Sequence, residues 1–225
     1  MNKSHLDIYR LEKDHIRENL NKYTRKAFNL IPPYKKPCIL DVGCGTGVPT
    51  IELAKLSSGH IIGIDIDEIS LELFQRKVKD NRLENQIEII KGSFLSMDFS
   101  EESFDIIWSE GSIFVIGFLR GLKRWRQFLK PNGFLVIHDE KKNKYQKLGQ
   151  ISRSGYALID QFDVESNLWW QDYYAPLEQL IYKFRQKYSN DTNIVNAINE
   201  DQFEIDKCKT NPQRASSFYV ILQKV

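Results

Sequence analysis

Apolar positions recur along this chain in two rhythms, and the rhythms predict its elements. Leu6, Tyr9, Leu11, Ile16, Leu20 and Tyr23 stand at roughly helical spacing among charges, which predicts an amphipathic N-terminal helix. Pro32-Pro33 ends it, since the proline ring clashes with a continuing helix. Its plain role is packing; a lid over a following pocket is the alternative. Short apolar runs then alternate with helical stretches. Cys38 to Val42, His60 to Asp65, Ile87 to Ile90, Phe104 to Ser109 and Phe134 to His138 read as buried strands. Between them, Pro49 to Leu56, Ser70 to Arg82 and Leu119 to Leu129 read as helices, the last ended by Pro131-Asn132-Gly133. Tyr156 to Val164 and Ser216 to Lys224 add two further strands. Unbroken apolar runs separated by helices describe an α/β fold, a parallel sheet covered on both faces.

The stretch at about 165 to 215 differs, holding Trp169, Trp170, Tyr173, Tyr174 and a polar helical segment around Leu177 to Tyr188. It reads as an insertion in a single domain, too small and polar for a core of its own. With the N-terminal helical cap (residues 1–33), it is expected to cover the binding edge of the sheet.

Composition narrows the class. The chain has 225 residues, 41% hydrophobic and 28% charged, enough to close one core. Lys and Arg number 32 against 30 Asp and Glu, too balanced for a dedicated nucleic-acid binder. Cys38, Cys44 and Cys208 are odd in number and form no CxxC pair, which speaks against a disulfide framework or zinc ribbon. No His/Cys/Asp cluster has metal spacing, so no metal is expected. Nor does any run read as a secretory signal or membrane span, which points to a cytoplasmic protein.

The sharpest chemical signal is Asp41-Val42-Gly43-Cys44-Gly45-Thr46-Gly47, where a strand runs into alternate glycines and then a helix. Such a turn lets backbone approach a polar, nucleotide-like ligand, with N–H groups close to it. The dinucleotide pattern GxGxxG wants a small residue where Val48 stands. Asp65 ends the second strand 18 residues beyond Gly47, placed to accept two ribose hydroxyls. Asp67 reads better as a charge at a helix N-terminus.

On Asp41, Gly43, Gly45 and Gly47, within LDVGCGTG, the chain resembles the class I S-adenosylmethionine-dependent methyltransferases. WSEGSIFVIGFLRGLKRWRQFLKPNG and the later aromatic stretch are broadly similar to small-molecule, quinone-biosynthesis members. The resemblance implies a Rossmann-like sheet of seven strands, the last antiparallel. It also implies methyl transfer from S-adenosyl-L-methionine to a small-molecule acceptor, leaving S-adenosyl-L-homocysteine. The implied cofactor residues are Asp41, Gly43, Cys44, Gly45, Gly47, Asp65, Ile66, Ser93, Phe94, Ser109 and Glu110. Ser93 stands where many relatives carry an adenine-binding Asp, and Phe94 is expected against the adenine ring.

Two side chains qualify for acid–base work. Glu110 follows the fourth strand, and His138 closes the fifth at the edge where such sheets bind ligands. Each also has a plain structural reading, as a surface acid and as a hydrogen-bonded core histidine. His5, His15 and His60 have no partner pattern. Trp169, Trp170, Tyr173 and Tyr174 are candidates for lining an acceptor pocket. Arg120, Lys123, Arg124, Arg126 and Lys130, with Lys141-Lys142-Asn143-Lys144, form the one basic concentration, with Leu119, Leu122, Trp125 and Leu129 as the packing face of that helix. Three alternatives therefore stay open: an RNA methyltransferase, a non-catalytic cofactor-binding module and, more distantly, a dehydrogenase.

Overall fold

A computed structural model of the protein describes residues 4–225. The chain forms two compact units, one of Lys22–Asp163 with Phe218–Val225, the other of residues up to Asn21 with Val164–Ser217. Helices α1 (His5–Arg17) and α2 (Asn21–Asn29) precede the first strand. The sheet comprises β1 (Cys38–Val42), β2 (His60–Asp65), β3 (Ile87–Lys91), β4 (Phe104–Glu110), β5 (Leu129–Glu140), β6 (Tyr156–Val164) and β7 (Ser217–Lys224). Among them run α3 (Val48–Leu56), α4 (Glu68–Asp80), α5 (Ile113–Ile116), α6 (Phe118–Arg126) and α7 (Lys144–Leu148).

Strand order is β3-β2-β1-β4-β5-β7-β6, mostly parallel with the chain end antiparallel. Ile39 pairs with Ile61 on one side and Ile106 on the other. Ile39, Leu40, Ile61, Ile106, Ile107, Leu135 and Ile137 are fully buried, which explains why these strands read as continuous apolar runs. Each such side chain contributes about 1.5–3 kcal/mol of transfer free energy. The order also locates the binding edge. The chain leaves β1 toward β2 and β3, and continues from β4 in the opposite direction. Sheets of this kind bind ligands in the crevice at that reversal, outside the carboxyl ends of the two strands.

Several boundaries shift by one or two residues from the sequence expectation, and two shift further. The helix expected to reach Leu129 ends at Arg126, and Leu129 opens β5 opposite Phe104. Pro131-Asn132-Gly133 lies within a bulge, after which Phe134 pairs with Ile106. Three turn residues look like a stop, but here the strand loops out and resumes. Leu119, expected on the packing face of that helix, is 40% exposed, whereas Leu122 and Trp125 are fully buried.

The helical unit adds α8 (Ser166–Trp169), a wide turn over Trp170–Tyr174, α9 (Ala175–Lys187) and α10 (Thr192–Thr210). Its polar composition had suggested no core, yet it buries one. Leu177, Leu180, Ile181 and Phe184 of α9 cluster with Ile194, Ile198 and Ile205 of α10 and with Tyr9 of α1. The Tyr9 hydroxyl donates to Asp201 at 2.7 Å. Helix α10 escaped the sequence reading because its few apolar residues are diluted over 19 positions. Asp191 caps it, accepting from the N–H groups of Asn193 and Ile194.

A candidate cofactor site at the carboxyl ends of β1, β2 and β4

Gly43, Gly45 and Gly47 all adopt left-handed φ, at 74°, 52° and 77°. Their surroundings differ. A Cβ on Gly43 would lie 2.4 Å from the Ser112 Cβ, and one on Gly47 would lie 2.0 Å from the Phe74 ring. A Cβ on Gly45 would meet nothing within 4 Å. Protein packing therefore requires two of the glycines, and the third faces open space.

The turn differs from expectation in its donors. The N–H groups of Gly43 and Cys44 both bond to the Ile64 carbonyl, at 2.8 and 3.2 Å, and Gly47 N–H bonds to the Cys44 carbonyl at 2.8 Å. Gly45 N–H donates to Asp65 Oδ2 at 2.8 Å. Of these N–H groups, expected to approach a ligand, those of Gly43, Cys44 and Gly45 instead tie the turn to the end of β2, and that of Gly47 closes the turn on itself. A pyrophosphate needs such donors. What the turn presents is acidic.

Asp65 is half-buried, its second oxygen accepting from Asp67 N–H at 3.0 Å. Each carboxylate oxygen keeps a further lone pair, enough for two hydroxyls. Asp67 caps α4, accepting from Ile69 N–H and the Ser70 hydroxyl. Asp41 is buried and accepts from the Thr50 hydroxyl at 2.5 Å. Glu110 Oε1 accepts from Thr24 Oγ1 of α2 at 2.7 Å and Trp108 Nε1 at 3.0 Å. Nothing in the residue pattern marks Thr24.

Burial pushes the Asp41 carboxyl up to about 7, from an ordinary 3.8; the Thr50 hydroxyl acts the other way, and the charges of Glu110 and Asp65 add to the rise. The folded chain thus holds a proton that the unfolded chain releases. The stability this gives is complete below about pH 4 and is lost as pH rises to about 7. At about 1.4 kcal/mol per unit, the whole change is on the order of 4 kcal/mol. Asp41→Asn keeps an oxygen for Thr50 and removes the titration. Its unfolding free energy should therefore be flatter than the parent's between pH 4 and 7, and larger at pH 8, in denaturant melts at each pH.

Other expected residues divide. Ile66 is 62% exposed directly beside Asp65. Ser93 is half-buried and its Oγ accepts from Leu95 N–H at 3.2 Å. Phe94 is only 7% exposed and packs into the main core with Met97 and Phe104, so most of its ring is unavailable to a ligand. The Cys44 thiol is buried against Gly63, and burial raises its pKa far above the usual thiol range. Ser109 is fully buried and shares a hydrogen bond of 2.8 Å with Ser112, whose hydroxyl donates to the Val42 carbonyl. This serine pair joins the end of β4 to the end of β1.

His138 lies opposite Glu110 in the β4–β5 register and is 6% exposed. Its ring stacks on Tyr219 (4.3 Å, 12°), Tyr219 stacks on Phe162 (4.9 Å, 14°), and the Lys26 ammonium sits 4.1 Å from the Phe162 ring.

The four candidate acceptor aromatics gather in the helical unit. Trp169 meets Tyr173 edge-on at 5.9 Å and donates from Nε1 to Ser217 Oγ at 2.8 Å. Trp170 stacks on Tyr174 at 6.5 Å and walls a cavity of about 390 Å³ with Asn167, Cys208 and Lys209. The basic concentration is neutralised in part. Lys141 and Lys144 pair with Asp163, Lys147 with Asp139 and Lys130 with Asp105. Among the described residues no cluster of His, Cys, Asp or Glu is placed to hold a metal, and no helix is long and apolar enough to cross a membrane.

Residues 39–133, from β1 into β5, match the family model described as a methyltransferase domain. Over that stretch the chain resembles a methyltransferase domain. The match begins with the glycine turn and takes in Asp65 and Glu110. A sterol 24-C-methyltransferase of Gibberella zeae is 32% identical over 102 residues, covering 45% of this chain and 27% of that protein. The chain thus aligns with well under half the length of such relatives. A methyltransferase from Thiobacillus denitrificans, solved with S-adenosyl-L-homocysteine, has TM-score 0.71 at 16% identity, covering 92% of this chain and 91% of that one. The cyclase SpnF has TM-score 0.72 at 15% identity, covering 91% and 80%. Those likenesses extend the methyltransferase fold over nearly the whole chain.

Proposed function

We propose that the chain transfers a methyl group from S-adenosyl-L-methionine to a small-molecule acceptor. The observation that carries this reading is the character of the glycine turn. It is poor in free N–H donors, flanked by Asp41, Asp65 and Glu110, and open only above Gly45. Such a place suits a cation with a ribose and disfavours a diphosphate. S-adenosyl-L-methionine supplies an activated methyl on a positively charged sulfur.

In this reading the remaining lone pairs of Asp65 accept the ribose hydroxyls. Ile66 gives the adenine an apolar face, and Ser93 offers it a hydroxyl. Asp41 stays behind the turn, holding α3 through Thr50. Glu110 is fixed through Oε1 by Thr24 and Trp108, and faces the ammonium end of the methionine part. His138, its ring held by the stack on Tyr219, takes a proton from an acceptor hydroxyl or thiol. Most of the acceleration comes from alignment and exclusion of water. The acceptor is a small organic molecule.

The test is release of S-adenosyl-L-homocysteine with panels of sterols, quinols, phenols and amines. Turnover with at least one panel is expected, and His138→Asn should lower kcat more than KM for an O-acceptor. Cofactor binding without turnover on any panel would contradict the catalytic reading.

A further inference from the structure

The segment after β4 carries a surface that the methyl-transfer site does not use. Phe114 and Val115 of α5 are 66% and 56% exposed, and Leu119 opens the outer face of α6 at 40%. Large side chains on consecutive turns are thus turned outward, while Ile113, Leu122 and Trp125 fill the core. Beside them Arg120, Lys123 and Arg124 surround a shallow depression with Ile116 and Gln127. Among the described residues no carboxylate pairs with Arg120 or Lys123, unlike the neutralised lysines at 141, 144 and 147. The nearby Glu102 is engaged by Lys224.

We propose that α5 and the outer face of α6 dock on an anionic lipid surface. Exposed apolar side chains beside unneutralised cations complement a bilayer in both respects: Phe114, Val115 and Leu119 enter the acyl boundary, and Arg120, Lys123 and Arg124 meet headgroup phosphates and carboxylates. A nucleic acid would use the cations and leave two aliphatic side chains facing water. The surface adjoins the carboxyl edge of the sheet, because α5 follows Ser112, which is bonded to the end of β1. A docked domain would therefore draw an acceptor dissolved in the lipid. The docking itself does not depend on methyl transfer.

The test is co-sedimentation of the full chain with phosphatidylcholine vesicles, with and without phosphatidylserine. Binding is expected only with phosphatidylserine, weakening as salt is raised. Arg120→Glu with Lys123→Glu should weaken it by about tenfold or more. Phe114→Ser with Val115→Ser should weaken it at every salt concentration. All four sites are exposed, and unchanged thermal melting and S-adenosyl-L-methionine affinity will show that the variants are folded. No binding to either vesicle, or binding indifferent to both double variants, would overturn the proposal. So would tighter binding to a uridine oligonucleotide that needs Arg120 and Lys123 but not Phe114 and Val115.

Discussion

Gly47→Ala should lower the stability of the domain by about 2–4 kcal/mol, whereas Gly45→Ala, two positions earlier, should lower it by only about 1 kcal/mol and remove cofactor binding instead. Both residues have left-handed φ, so both variants carry the backbone cost of a Cβ there. The difference lies in what the new methyl meets. At Gly47 it falls 2.0 Å from the ring of Phe74, which is fully buried and cannot retreat without disturbing the packing of α4 on the sheet. At Gly45 it meets no protein atom within 4 Å and occupies the space assigned to the cofactor. Thermal melts and cofactor titrations on the two variants should therefore separate cleanly. Equal destabilisation, or unchanged affinity in a folded Gly45→Ala, would place the ligand elsewhere.

Asp65→Ala should weaken S-adenosyl-L-methionine binding roughly ten- to a hundredfold, about 1–3 kcal/mol, through lost ribose contacts. The side chain also receives Gly45 N–H and Asp67 N–H, so its loss leaves the turn without one of its ties to β2. Asp65→Asn keeps one oxygen for Gly45 but gives up a carboxylate acceptor. It should hold the turn and still lose most of the affinity, which distinguishes a ribose ligand from a mere staple. Affinity for S-adenosyl-L-homocysteine should fall in parallel, because the ribose is common to both.

Much of the sheet was legible because its strands are buried on both faces. Cys38–Val42 and His60–Asp65 carry their boundaries in plain apolar runs. The turn and Asp65 were legible because left-handed backbone and a strand-end acid leave marks in residue type. Where the turn's N–H groups point was not, since that depends on Ile64 and Asp65 meeting it across the β1–β2 ladder. Nor was the Glu110 anchor, because Thr24 lies 86 positions away in sequence. An aromatic after β3 reads as an adenine wall because it stands on the binding edge; how deeply Phe94 is buried depends on its packing with the main core, which its position in the sequence does not disclose. The core of the helical unit was hidden because α1, α9 and α10 each contribute a few apolar residues from distant parts of the chain.

An acid-flanked turn, its donors already engaged, should take a sulfonium nucleoside and not a dinucleotide. Calorimetric titration of the purified chain with S-adenosyl-L-methionine, S-adenosyl-L-homocysteine and NAD tests it most directly. Micromolar binding of the two sulfur compounds and none of NAD is expected. Clear NAD binding, or no heat with either sulfur compound, would contradict the assignment of the turn while leaving the fold intact.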